Sequence, residues 1–128
     1  EFGATTGRPR RCGWLDAAQV RYAARISAAT EVFLTKIDVL TGLDEIRVGV
    51  GYRGVELGSF PSRIDEIAGL DVVYRSFPGW TEPITDCRTF AELPENARLY
   101  VEALDELLGL PIRNISVGPG RAQTIVRE

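Results

Sequence analysis

An α/β domain of mixed strands and several helices is the fold this sequence predicts, and two patterns carry that expectation. Ile46, Val48, Val50 and Tyr52 alternate with Arg47, Gly49 and Gly51, the period of two that sends successive side chains to opposite faces of a strand. Ala97, Tyr100, Val101, Leu104 and Leu108 recur at helical spacing, and the run is bounded by Pro94 before it and by Gly109 and Pro111 after it. Strand-like and helix-like segments interleave along 128 residues without a repeat, a low-complexity tract or a linker, so residues 1–128 read as one domain with one core.

In chain order, Leu15 to Ala28 reads as an amphipathic helix with Leu15, Ala18, Tyr22 and Ile26 on one face, after the turn-like Cys12-Gly13-Trp14. Glu31 to Thr35 is β-branched and aromatic and ends at polar Lys36 and Asp38, as a buried strand feeding a loop does. The alternating strand from Ile46 to Tyr52 is expected to form a hairpin with Val55 to Leu57 across Arg53-Gly54. Ser62 is placed to cap a short helix running through Ala68. Val72 to Phe77 is a further strand, broken by Pro78-Gly79-Trp80. After the long helix from Pro94 to Leu108, Ile112 to Val117 is the last expected strand and runs into Gly118-Pro119-Gly120-Arg121.

Composition removes several classes of function. Hydrophobic content of 45% with 26% charged residues is that of a folded globular chain, not of a disordered or membrane sequence. A net charge of -3 lacks the basic field of a generic nucleic-acid binder. No apolar run approaches the roughly 20 residues that span a bilayer and no charged-then-apolar leader opens the chain, so neither nucleic acid nor membrane is expected as a partner and a cytoplasmic location is. Two cysteines, Cys12 and Cys87, are too few for a disulfide framework and are read as free thiols. Without histidine a zinc site has little to draw on, and every Ser-His or Cys-His arrangement is excluded. No residue here is therefore assigned a catalytic or metal-binding role.

Three short motifs carry recognition chemistry instead. Gly3-Ala4-Thr5-Thr6-Gly7-Arg8-Pro9-Arg10-Arg11 sets two hydroxyls and three guanidiniums on a glycine-hinged loop. Backbone amides and hydroxyls donate to anions there, and arginine forks match carboxylate or phosphate geometry. The ligand is a dicarboxylate or a phosphate ester, against the plainer reading of a solvated Arg-rich surface. The other two motifs each follow an expected strand, where open α/β sheets place ligands. In Thr35-Lys36-Ile37-Asp38 a carboxylate can accept two parallel hydrogen bonds from guanine N1–H and N2–H while the lysine stem lies along the base, a donor pair that adenine does not offer. The plainer reading is a solvated turn. In Ser116-Val117-Gly118-Pro119 a small hydroxyl and exposed backbone can close over the base carbonyl, although alone the motif is an ordinary turn.

Taken in order, the opening loop through Cys12-Gly13-Trp14, then Leu34-Thr35-Lys36-Ile37-Asp38-Val39-Leu40, Phe77-Pro78-Gly79-Trp80 and Ile115-Ser116-Val117-Gly118-Pro119 resemble the C-terminal part of the adenylosuccinate synthetase family, over essentially the whole chain. The resemblance implies a GTP- and magnesium-dependent ligase that joins IMP to L-aspartate on the route to AMP. The implied chemistry is phosphoryl transfer to the purine 6-oxygen, then attack of the aspartate amine on the activated carbon. It implies that Ala4, Thr5, Thr6, Gly7, Arg8 and Arg10 form the aspartate loop, with Thr6 and Arg8 on the carboxylates, Arg8 also reaching the IMP ribose, and Arg10 facing GTP. It implies that Lys36, Ile37 and Asp38, with Ser116, Val117 and Gly118, recognise guanine: Asp38 on the base edge, Ser116 and Gly118 near its carbonyl. Small departures are Gly120, where the family often has Asp, and Ile37 in place of the commoner Leu.

The family's glycine-rich phosphate loop, catalytic Asp and His, and most of its magnesium contacts belong to an N-terminal portion whose motifs do not occur here. The chain also lacks methionine and opens on the ligand loop. It is accordingly expected to be the C-terminal domain of a longer, commonly homodimeric enzyme, and inactive by itself. One alternative is a free-standing, non-catalytic module for GTP or a dicarboxylate. Another, a nucleic-acid contact domain built on Arg8, Arg10 and Arg11, is disfavoured by the acidic balance and by the lack of an aromatic stacking platform.

Overall fold

The computed structural model describes residues 2–56, 60 and 63–127. Among these residues, six strands and three α-helices build two three-stranded sheets, the expected α/β class. In the first sheet β1 (Leu15–Asp16) lies parallel to β3 (Glu45–Tyr52), which pairs antiparallel with β4 (Val72–Pro78). In the second, β2 (Val32–Leu34) runs parallel to β5 (Ile112–Ser116), and β6 (Thr124–Val126) returns antiparallel along β5. The helices are α1 (Ala17–Ile26), α2 (Ile64–Ile67) and α3 (Glu95–Leu108). None of the described helices is long and apolar enough to cross a membrane.

One apolar cluster serves both sheets. Ile46, Val48 and Phe77 enter it from the first, Leu34, Ile112, Ile115 and Ile125 from the second. Helix α3 packs on β4 and on β5, presenting the expected Ala97, Tyr100, Val101, Leu104 and Leu108, all buried. Each large aliphatic side chain so buried contributes about 1.5 to 3 kcal/mol. Burial also pushes the Tyr100 hydroxyl up to about 12. The start of β5 is fixed to α3 by Asp105, whose carboxylate accepts from the Ile112 N–H at 2.7 Å and from Arg127 Nη1 at 2.8 Å. Gly109, at φ 67°, takes the left-handed conformation that ends α3.

The structure corrects three expectations. Helix α1 begins at Ala17, not Leu15, because Leu15 and Asp16 pair with Val48 and Gly49, and the Asp16 carboxylate caps the helix by accepting from Gln19 N–H at 3.0 Å. Ala17 and Ala18 are buried and Val20 packs against the core, while Ile26, expected inside, is the last helical residue and is 67% exposed. The hairpin expected from Ile46–Tyr52 through Val55 to Leu57 does not form at Val55 and Glu56. The chain does reverse at Gly54, φ 78°, but β3 pairs with β4 from Glu45↔Pro78 to Tyr52↔Val72. The longer β-branched and aromatic run offers far more ladder partners than Val55 and Glu56, which lie in no strand. Leu57, and Ser62 as helix cap, lie outside the described residues. Pro94 sits one position before α3 rather than within its first turn.

Candidate functional site

The parallel pairing of β2 with β5 brings two of the recognition motifs together. Phe33 pairs with Asn114 and Leu34 with Ile115, so both strands end side by side. Thr35-Lys36 leaves one end and Ser116-Val117-Gly118 leaves the other. Beyond β2, Lys36 adopts φ 61° and ψ 34°, a left-handed conformation costly for a residue with a Cβ. A single 3-10 turn, Ile37–Leu40, follows. Ile37, 1% exposed, drives its side chain into the core and so fixes the turn. One residue on, Asp38 holds a buried carboxylate oxygen, Oδ1, that has no hydrogen-bond partner among the described residues. Buried acceptors without donors are rare and costly.

Beyond β5 the chain turns back tightly. The Ser116 hydroxyl donates to the Gly118 carbonyl at 2.9 Å. Val117 is fully buried, and its N–H donates to the Gln123 carbonyl at 2.9 Å. Ile37 and Val117, both placed in the recognition segments from sequence, thus act as anchors, their side chains being in the core. Gln123 was not singled out from sequence, yet its amide bonds to Gly120 and to Thr85.

The Phe77-Pro78-Gly79-Trp80 motif is a brace for the 3-10 turn. Gly42 N–H donates to the Trp80 carbonyl at 2.8 Å, Gly79 N–H to the Asp44 carbonyl at 2.9 Å, and Trp80 Nε1 to Thr41 Oγ1 at 3.1 Å. Asn96 on α3 holds the Gly79 carbonyl at 2.7 Å. The residues that follow Asp38 are thereby tied to the end of β4 and the start of α3.

The opening loop is closed by its own backbone. Phe2 bridges Pro9, Gly3 N–H donates to the Arg8 carbonyl and Gly7 N–H to the Gly3 carbonyl, each at 2.9 Å. Gly7, at φ 64°, takes a turn conformation open to glycine. Ala4, Thr5, Thr6, Arg8 and Arg10 are exposed, and Thr6 Oγ1 accepts from Arg8 N–H at 3.4 Å. The next residues, Cys12-Gly13-Trp14, line a groove of about 600 Å³ with Val39 and Leu40 of the 3-10 turn. This groove relates the loop to the Asp38 segment. Among the described residues neither Cys12 nor Cys87 pairs in a disulfide with the other, and burial raises the Cys87 thiol above its usual range.

Asp16, another carboxylate at a strand end, serves structure. Besides capping α1 it accepts from the Tyr52 hydroxyl. Burial first, and that carboxylate second, push the tyrosine upward.

Fold and site define an α/β domain with polar loops gathered at the carboxyl ends of parallel strands. Comparison with known proteins specifies it. The adenylosuccinate synthetase family model matches residues 1–125. Adenylosuccinate synthetase of Desulforudis audaxviator is 53% identical over 127 residues, covering 98% of this chain and 30% of that protein. The chloroplastic adenylosuccinate synthetase 2 of Oryza sativa subsp. japonica is 48% identical over 130 residues, covering 99% of this chain and 27% of its own length. A fully ligated adenylosuccinate synthetase structure from Plasmodium falciparum superposes with a TM-score of 0.93 at 42% identity, over 100% of this chain and 32% of the other. The chain belongs to the adenylosuccinate synthetase family, and it spans about three tenths of the length of the curated relatives it matches.

Proposed function

We propose that this chain supplies the guanine-recognition segments and the aspartate and IMP loop of a GTP-dependent ligase that forms adenylosuccinate from IMP and L-aspartate. The observation that carries this reading is the buried, unpartnered Asp38 Oδ1 on a braced turn beside the Ser116–Gly118 loop. Leaving such an acceptor unsatisfied costs about 1 to 3 kcal/mol, and the paired N1–H and N2–H of guanine are the donors that satisfy a carboxylate edge. The left-handed Lys36 supports the same reading, because strained backbone persists where surroundings enforce it and collects at ligand sites.

In this reading Thr6 and Arg8 bind the aspartate carboxylates, Arg8 also the IMP ribose, and Arg10 faces GTP, with Ala4, Thr5 and Gly7 shaping the loop. Lys36 and Asp38 hold the guanine plane and edge, Ser116 and Gly118 its carbonyl. The chain orients all three substrates, while phosphoryl transfer to the purine 6-oxygen belongs to the rest of the polypeptide. Among the described residues no cluster of three or more His, Cys, Asp or Glu side chains is placed to hold a metal. In this reading the magnesium of the reaction is held mainly by the remaining polypeptide. The working protein is a cytoplasmic homodimer.

Asp38→Asn in the full-length polypeptide carrying this chain tests the reading. One acceptor becomes a donor that opposes guanine N–H but matches the 2-carbonyl of xanthine. The specificity constant for GTP is expected to fall about 5- to 150-fold while that for XTP rises. An unchanged GTP-to-XTP ratio removes Asp38 from the base site.

A further inference from the structure

We propose that Gln123 is a positioning residue for base recognition, its side-chain amide setting the shape of the Ser116–Gly120 loop and fastening it to the segment at Thr85. The inference rests on the reading of Ser116–Gly118 as the loop beside the base.

Both polar atoms of the amide are engaged, on opposite sides. Oε1 accepts from Gly120 N–H at 2.8 Å, and Nε2 donates to the Thr85 carbonyl at 3.1 Å. The Gln123 backbone closes the same loop, its carbonyl accepting from Val117 N–H and its N–H donating to the Gly120 carbonyl, each at 2.9 Å. Contact completes the arrangement. A Cβ at Gly118 would stand 2.5 Å from Gln123 Oε1 and 2.6 Å from Nε2, so the amide lies close against Gly118 and a larger residue there would displace it. The Gly118 carbonyl in turn receives the Ser116 hydroxyl. The groups offered to the base are thus both placed by one amide, Gly118 directly and Ser116 through it.

The far anchor is itself fixed. Ile84, the neighbour of Thr85, is fully buried, and the Thr85 carbonyl also accepts from Arg88 Nη1 at 2.8 Å. Four residues beyond Arg88, the Glu92 carboxylate accepts from the N–H groups of Arg88 and Thr89. The loop is therefore tied to a segment that also has hydrogen bonds and core contacts of its own.

The test uses the full-length polypeptide with two replacements. Gln123→Met keeps the length of the side chain and loses both hydrogen bonds; Gln123→Glu keeps an acceptor for Gly120 N–H but has no donor for Thr85. The methionine variant is expected to raise KM for GTP about tenfold, leaving kcat within about threefold and KM for IMP and aspartate within about twofold. Glutamate is expected to give a smaller rise in KM for GTP, a graded rescue that general loosening of the fold would not produce. An unmoved KM for GTP, or equal rises for all three substrates, overturns the inference. If the methionine variant does not fold, the glutamate variant decides by the same split between GTP and IMP. Asp38→Asn keeps the two readings apart: a shifted GTP-to-XTP ratio there, with KM for GTP unmoved in Gln123→Met, rejects Gln123 alone.

Discussion

Gly79 has less latitude than any recognition residue around it. A Cβ there would lie 1.6 Å from the Leu43 carbonyl oxygen and 2.7 Å from its carbon, a collision of backbone with backbone that no rotamer relieves. Gly79→Ala is expected to destabilise the chain by about 3 kcal/mol or more, read as a lowered midpoint in urea denaturation. A midpoint equal to that of the parent would show that the Thr41–Asp44 strap can move aside. At this scale the sequence was informative where chemistry is local. Lys36, Asp38 and Ser116 are polar residues at or just past the ends of strand-like segments, and the structure brings those strand ends side by side. Gln123 and Gly79 were illegible in their roles, because what gives them meaning, Thr85 and Leu43, lies 38 and 36 positions away in a chain whose folding alone brings them together.

Among the elements, the short 3-10 helix Phe90–Glu92 shows how charge supports a turn. Thr89 and Glu92 form a reciprocal capping box, and the Glu92 carboxylate accepts from Arg88 N–H at 2.6 Å and Thr89 N–H at 3.2 Å. Those bonds, the one from Arg88 foremost, hold its carboxyl below the ordinary value of 4.5. A carboxyl lowered in the folded state adds stability that is complete above its unfolded value and is lost as pH falls through its folded value. Glu92→Gln is therefore expected to flatten the decline of thermal midpoint between about pH 5 and pH 3, relative to the parent chain. Parallel declines in the two proteins would assign the acid sensitivity elsewhere. Helix α3 was legible to within one residue because proline, glycine and the apolar period are local signals. The partner of β3 was not. Sequence proximity favoured Val55 to Leu57, whereas strand pairing is decided by the length and composition of the competing runs. Strand β6, three residues long, was missed despite its β-branched Thr124-Ile125-Val126.

For the molecule as a whole, the two sheets feed one apolar cluster among the described residues, and α3 contacts a strand of each. Unfolding of the chain is expected to be a single transition in which far-ultraviolet circular dichroism and tryptophan fluorescence coincide. Leu104→Ala, which empties a fully buried position on α3, is expected to lower stability by about 2 to 5 kcal/mol without separating the two signals. Two resolved transitions would mean that the sheets fold independently. The overall class was readable from periodicity, but the division into two sheets was not, since nothing in a single strand states which others it joins.

The opening loop carries a thermodynamic consequence. Its ends are joined by the Phe2–Pro9 bridge and by backbone bonds among Gly3, Gly7 and Arg8. Ordering backbone costs about 1 to 2 kcal/mol per residue, and in a self-closed loop that loss accompanies folding instead of capture. On the proposed reading of this loop as the aspartate site, an arriving anion meets backbone that is already ordered, so the exposed threonine and arginine side chains are what remains to be immobilised and association is limited by encounter more than by loop rearrangement.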